Sequence, residues 1–175
     1  MKTIVLCGLP GCGKTTVGML LAKMNSGIFI DIDLLIEKKY LEIAGETLSC
    51  RQIFAQKGGQ FFREFEKEII ASLALKSNEN AIISIGGGAV EATENIQNLK
   101  SIGLLIYLKV GLEELFKRIN RKGLPAYLDP NAPFSSFEKL ADKRYPFYKN
   151  AADFEVDAEG LTPEEIAKKI IEKVS

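Results

Sequence analysis

Gly8-Leu9-Pro10-Gly11-Cys12-Gly13-Lys14-Thr15 satisfies every fixed position of the pattern Gly-x-x-x-x-Gly-Lys-Ser/Thr. Glycines at these intervals let successive backbone N–H groups turn inward toward phosphate oxygens, and a helix N-terminus adds positive potential. In this pattern the lysine, Lys14, reaches the β- and γ-phosphates, and the hydroxyl of Thr15 ligates a divalent cation. The pattern has this meaning only between a strand and a helix. Both are predicted: a mostly apolar strand over residues 3–7 and a helix over 15–24. The loop therefore decides the fold, because strand, phosphate loop and helix are the opening unit of a parallel sheet wrapped by helices.

Outward from the loop, apolar runs alternate with helical periodicity. Further strands are predicted over 27–31, 81–85, 104–108 and 154–156. Helices are predicted over 34–43, 47–56 and 60–75, the last with Phe61, Phe65, Ile69 and Ser72 as one stripe. Another follows over 112–119, and one over 137–143 is expected to stop near Pro146. The last helix opens at Thr162-Pro163-Glu164-Glu165, a capping box with proline in the first turn. Residues 121–133 break the periodicity and carry Gly123, Pro125, Pro130 and Pro133, as a lid over a site does. The chain, 1–175, is expected to be a single domain.

Composition narrows the chemistry. Lys plus Arg number 23 and Asp plus Glu number 23, so the formal net charge is zero. That balance speaks against a general nucleic-acid or membrane-surface binder. Histidine is absent, which excludes imidazole catalysis and zinc sites built on imidazole. Any general base is then a carboxylate or, failing that, Lys, Tyr or Cys. Cys7, Cys12 and Cys50 have no C-x-x-C spacing and an odd count, so reduced thiols and a cytoplasmic setting are expected. No apolar stretch is long enough for a bilayer, and the apolar start is too short for a signal peptide.

The strands at 81–85 and 104–108 end without a carboxylate, whereas Ile30-Asp31-Ile32-Asp33 brings two acids to a strand's carboxyl end. That edge is where open α/β sheets bind ligands. In extended chain, residues two apart face the same way, so one acid could stand near a metal and the other at an acceptor hydroxyl. The alternative is an acidic N-cap for the next helix, a role open to Asp33. Gly86-Gly87-Gly88 is either a tight turn or a place where the backbone must be approached closely. In Phe61-Phe62-Arg63-Glu64-Phe65-Glu66, Arg63 either pairs with Glu66 or aims its fork at a substrate carboxylate. Cys12 is either a small packing residue or a thiol whose modification blocks nucleotide binding.

Taken in order, these elements resemble the shikimate kinase family nearly end to end. The resemblance rests on Gly8–Thr15, Asp31-x-Asp33, Phe62-Arg63-x-x-Glu66, Ser84-x-Gly86-Gly87-Gly88-Ala89-Val90 and Lys143-Arg144-x-Pro146-x-Tyr148. It implies a P-loop NTPase, a three-layer α/β/α fold like that of nucleoside-monophosphate kinases, with a five-stranded parallel sheet in the order 2-3-1-4-5. It implies transfer of the ATP γ-phosphate to the 3-hydroxyl of shikimate, in aromatic amino-acid biosynthesis, with Mg²⁺ and with a monomer as the acting unit. By the same resemblance Gly11, Cys12, Gly13, Lys14, Thr15 and Thr16 hold ATP, with Arg118 beside the adenine. Thr15, Asp31 and Ser84 serve the metal. Arg63 and Arg144 hold the substrate carboxylate. Asp33 and the backbone of Gly86, Gly87 and Gly88 hold hydroxyls, and Phe54, Phe62 and Glu66 line the pocket. Residues 33–66 form a substrate-binding lobe and 119–134 a lid.

Two departures stand out. The family's lid carries an Arg-Pro-Leu-Leu run whose arginine contacts the transferring phosphate, and here the stretch reads Arg121-Lys122-Gly123-Leu124-Pro125-Ala126-Tyr127-Leu128. Either Arg121 or Lys122 supplies the missing charge, or both belong to a solvated loop. Gly58-Gly59 stands where the family commonly has Gly-Glu. The competing readings are a gluconate or nucleoside-monophosphate kinase and, outside catalysis, a nucleotide-dependent switch. No Asn-Lys-x-Asp guanine motif is present, and Asp157-Ala158-Glu159-Gly160 reads as a turn after the last strand.

Overall fold

The computed structural model describes residues 2–75, 80–121, 123–125 and 127–174. In chain order the elements are β1 (Ile4–Cys7), α1 (Lys14–Met24), β2 (Ile28–Asp31), α2 (Ile32–Ala44), α3 (Cys50–Ala74) and β3 (Ala81–Ser84). A single 3₁₀ turn, Ala89–Glu91, precedes α4 (Thr93–Ile102), β4 (Leu104–Lys109) and α5 (Leu112–Arg121). The chain closes with α6 (Pro133–Ala151), β5 (Phe154–Asp157) and α7 (Pro163–Val174).

All four strand pairings are parallel and the order is β2-β3-β1-β4-β5, as expected. The apolar composition of the central strands explains their place, since a strand covered by helices on both faces must be hydrophobic throughout. β1 and β3 are buried at every residue, whereas the edge strands β2 and β5 are only partly covered. Helix α1 packs beside α7, and α3 beside α2 and α4. The chain leaves β1 toward β2 and later crosses to β4, so the direction of winding reverses next to β1. Parallel sheets bind ligands at the carboxyl ends of their strands at such a point. The phosphate loop, the Asp31 corner and the Gly86–Gly88 turn all leave from that edge.

Three expectations need correction. Helix α2 begins at Ile32, immediately after the strand, so Asp33 lies in a helical first turn rather than in extended chain. Asp31, not Asp33, is the N-cap: its carboxylate accepts from the Asp33 N–H at 3.0 Å. In α3 the buried face is Phe62, Phe65, Glu66, Ile69, Ile70 and Leu73, while Phe61 is 42% exposed and Ser72 is also exposed. The proposed stripe was right at Phe65 and Ile69 and one residue early at each end. The break between the two predicted helices is real. Gly58 has φ 85° and ψ 163°, a conformation that a side chain disfavours, so the helical phase restarts there.

The third correction is that α6 runs through Pro146 to Ala151. An interior proline costs about 3 kcal/mol through a lost hydrogen bond and a steric clash. Beyond it, Tyr148 and Ala151 are buried, and the Tyr148 ring stacks on Tyr107 with centroids 5.0 Å apart. Burial of that aromatic surface holds the last turns in place. The capping box at α7 is formed as read, with Thr162 N–H donating to Glu165 Oε2 at 2.8 Å. Asp157 Oδ1 accepts from the Glu159 N–H at 3.0 Å, the turn expected there. Among the described residues no helix is long and apolar enough to cross a membrane, and all three cysteines are free.

Candidate active site

The phosphate loop is built around its own lysine. Lys14 Nζ donates to the carbonyls of Gly8 at 2.8 Å and Leu9 at 3.3 Å, so the ammonium sits inside the curve of the loop. Gly8 has φ 144°, and a methyl group there would lie 2.7 Å from the Leu108 carbonyl oxygen, a backbone atom that cannot give way. Cys12 is buried, and its N–H donates to the Leu9 carbonyl at 3.3 Å. Its thiol is therefore a packing group, which disfavours the alternative of a reactive thiol at the loop surface. Arg118, in the last turn of α5, donates to the Gly11 carbonyl at 3.4 Å and pairs with Glu114 at 2.8 Å.

Beside the loop, Thr15 Oγ1 donates to Asp31 Oδ2 at 3.1 Å. Asp31 pairs in register with Ser84 on the neighbouring strand, which brings two hydroxyls and one carboxylate to the same corner. Among the described residues no group of three or more His, Cys, Asp or Glu forms a metal cage. A hard-oxygen set with a single carboxylate suits Mg²⁺, which keeps several waters and is completed by substrate phosphates. The residues therefore fit that ion.

A cleft of about 570 Å³ opens from this corner. Its walls include Gly11, Gly13, Lys14, Thr15 and Thr16 from the loop, and Asp31 and Asp33 from the end of β2. Ser84, Gly86 and Gly87 also line it, as do Arg51, Arg118, Arg121 and Tyr127. Both acids thus face the phosphate loop, although Asp33 does so from a helix. Lys122 lies outside the described residues.

At the inner end, the three glycines are where side chains converge. A methyl group at Gly86 would lie 3.0 Å from Glu66 Oε1 and 3.1 Å from Asp33 Oδ1. At Gly88 it would overlap the Arg63 guanidinium and come within 2.9 Å of Arg144 Nη2. Two carboxyl groups therefore gather over one end of the turn and two guanidinium groups over the other. Both readings of Gly86–Gly88 hold: the Ala89 N–H closes a turn on the Gly86 carbonyl at 3.1 Å, and side chains approach that turn closely. Arg63 makes the helical pair foreseen with Glu66, at 2.6 Å, yet stays one-third exposed and reaches Gly88 as well. The helical pair is thus formed, and the exposed part of the guanidinium leaves the second reading open. Its guanidinium lies 5.4 Å above the Phe62 ring, and Phe54 meets Phe62 edge to face at 5.8 Å.

The electrostatics follow from this crowding. Solvent reaches Asp33 through the cleft, but enclosure by protein raises its pKa, and the Asp31 carboxylate raises it further against the pull of Lys14 and Arg63. Glu66 is raised chiefly by burial, with Arg63 opposing. Glu66 Oε1 is a buried acceptor without a hydrogen-bond partner among the described residues. Such an atom is costly unless something supplies a donor. Burial alone would raise Glu91, but hydrogen bonds from Lys143 and Arg144 hold its carboxyl below the usual range.

Four residues of the site were not singled out as functional by the sequence. Glu91 anchors Arg144 at 2.9 Å and Lys143 at 2.7 Å. Tyr148 donates its hydroxyl to the Gly87 carbonyl and pins the turn. Arg51 and Tyr127 wall the cleft. Glu91 was within reach of sequence reasoning, because it closes the Gly86–Val90 motif and an arginine next to lysine needs an acid. Nothing local points to Arg51 or Tyr127.

The sequence profile described as "Shikimate kinase" matches residues 10–175. A shikimate kinase of Thermodesulfovibrio yellowstonii is 39% identical over 173 residues, covering 99% of this chain and 95% of its own. One of Clostridium botulinum is 46% identical over 152 residues, covering 86% and 85%. Among solved structures, the shikimate kinase from Acinetobacter baumannii in complex with shikimate has a TM-score of 0.88 at 28% identity, covering 99% of this chain and 93% of that one. The shikimate kinase from Aquifex aeolicus has a TM-score of 0.76 at 30% identity, covering 98% and 95%.

Proposed function

The chain belongs to the shikimate kinase family, and from that premise we propose how its own residues phosphorylate the 3-hydroxyl of shikimate with ATP, giving shikimate 3-phosphate and ADP for aromatic amino-acid biosynthesis. The observation that carries the assignment of residues is the polar bowl over Gly86–Gly88. Paired guanidiniums at one end and paired carboxyls at the other match a ring with a carboxylate opposite hydroxyl groups.

In this reading Arg63 and Arg144 hold the carboxylate, and Asp33, Glu66 and the Gly86, Gly87 and Gly88 backbone take the hydroxyls. The unpartnered Oε1 of Glu66 accepts one of them. Phe54 and Phe62 supply the apolar side. Gly11, Cys12 and Gly13 present backbone amides to ATP, with Lys14, Thr15 and Thr16 at its phosphates and Arg118 near its base. Thr15, Asp31 and Ser84 would hold Mg²⁺, which would supply charge neutralisation at the phosphates. The acceptor oxygen attacks the γ-phosphorus in line, the bond to the β–γ bridging oxygen breaks, and the hydroxyl proton passes to Asp33 or onward to water. Positioning and charge neutralisation do most of the work in such a transfer. Residues 33–66 act as the substrate lobe and 119–134 as the lid, whose closure excludes water. Arg121, which lines the cleft, is the lid-side cation, with Lys122 next to it in sequence. In this proposal the acting unit is one chain, and the free cysteines suit the cytoplasm.

Two measurements test the assignment. ADP release in the presence of ATP should require shikimate, with gluconate and nucleoside monophosphates giving only the background seen with no acceptor. Turnover with one of those and not with shikimate would overturn it. Arg63→Ala should raise the KM for shikimate by about 10- to 100-fold, the loss of one charge-assisted pair of about 1.5–3 kcal/mol, with the KM for ATP little changed. An unchanged shikimate KM would remove Arg63 from the carboxylate clamp.

A further inference from the structure

We infer that Arg51 is a further catalytic residue, whose guanidinium neutralises the phosphoryl group in transit from the acceptor side of the cleft. This rests on the assignment of the cleft to phosphoryl transfer. Arg51 is the second residue of α3, in a first turn held by the Ser49–Gln52 capping box. The preceding residue ties that turn to the acceptor acid. Cys50 N–H donates to Glu37 Oε1 at 2.8 Å, and Cys50 Sγ donates to the Asp33 carbonyl at 3.2 Å. Residue 51 is therefore fixed beside Asp33, and its side chain walls the same cleft as Lys14 and Thr15.

Its charge is uncommitted. Arg63, Arg118 and Arg144 each hold a carboxylate, at 2.6, 2.8 and 2.9 Å. Among the described residues the Arg51 side chain has no ion pair or hydrogen bond. Nor does it serve the helix, because a cation in the first turn opposes the helix dipole, where an acid would be stabilising. A solvated surface arginine would have the same bonding record, but it would not share a cleft wall with a phosphate loop. Tyr127 lines the same cleft, its phenol pKa raised by burial and drawn back by Arg144 and Arg51. Arg121 also walls the cleft, but it ends α5, where a cation suits the dipole, one turn beyond the Arg118 bound to the Gly11 carbonyl. That places it on the nucleotide side.

A planar guanidinium matches the oxygens of a phosphoryl group, and charge spreads over those oxygens as the bond to ADP breaks and the bond to the acceptor forms. Arg51→Ala and Arg51→Lys test the role against the unaltered enzyme, with kcat, both KM values, the affinities for ATP and ADP, and thermal melting measured together. For Arg51→Ala, kcat should fall by about 100-fold or more, the usual cost of one preorganised donor at developing charge. The KM for shikimate should change little, ATP should lose more affinity than ADP, and the melting temperature should hold or rise. Added guanidinium ion should restore part of the rate, and Arg51→Lys should keep part of it. A kcat close to that of the unaltered enzyme would overturn the inference. So would a higher shikimate KM at unchanged kcat, which would place Arg51 on the acceptor instead. An unaltered enzyme that releases no ADP with shikimate would defeat the broader assignment, and Arg51 with it, before any variant is compared.

Discussion

Asp33→Asn should lower kcat by about 10²- to 10⁴-fold, the range a positioned acid–base group contributes, while ATP still binds. The amide keeps the size of the carboxyl, and the Asp33 N–H that closes the Asp31 cap belongs to the backbone, so the corner that meets Thr15 survives. What is lost is an anion over Gly86, which in the proposed assignment faces the acceptor hydroxyl. A hydroxyl is too weak an acid to lose its proton early in the transfer, so the acid acts late or by orienting the oxygen. Stability should scarcely change. The charged form of Asp33 is already disfavoured by enclosure and by Asp31, and solvent still reaches it. Steady-state turnover with calorimetric ATP binding checks both halves. A variant that turns over near the normal rate would remove Asp33 from the acceptor site.

Lys14→Met should be comparably severe, but on the donor side. The ammonium is held by the Gly8 and Leu9 carbonyls at 2.8 and 3.3 Å, which preorganises it inside the loop before any phosphate arrives. Preorganised charge is what phosphoryl transfer uses, and removal of one such donor costs about 10²- to 10³-fold in kcat, roughly 2.7–4 kcal/mol. The KM for ATP should rise as well, because the same group meets the phosphates in the ground state. The KM for shikimate should be unaffected, which distinguishes the variant from Arg63→Ala. Methionine keeps the length of the stem but leaves two loop carbonyls to find other donors, so a small drop in melting temperature is expected. Melting curves taken beside the kinetics separate the two effects. Normal kcat in a folded Lys14→Met protein would sink the donor-side account.

The two sets of effects should be nearly independent in ATP affinity and strongly coupled in turnover. Asp33 and Lys14 line one cleft and, in the proposed assignment, act on the same transferred group, and groups that act as a unit are non-additive. The double variant is therefore expected to turn over hardly more slowly than the worse single one.

The sequence by itself determined the sheet and the phosphate loop. A phosphate loop is contiguous, its glycines and lysine act through local backbone geometry, and the apolar runs of β1 and β3 can only be buried central strands. The Gly58 break and the Thr162–Glu165 cap were legible for the same reason, since each works within a few residues. Tertiary structure decided what depends on groups far apart in the chain. Pro146 reads locally as a stop, yet α6 passes it because Tyr148 finds Tyr107 and Gly87. Asp33 reads as extended chain, yet it reaches the cleft from a helix that starts one residue earlier. The convergence of Arg63 with Arg144, the Glu91 that steadies Arg144, and the approach of Arg51 to the cleft all require elements brought together by the fold. Local sequence encodes dihedral preference and burial, whereas a side chain's partner across space is set by the packing of the whole domain.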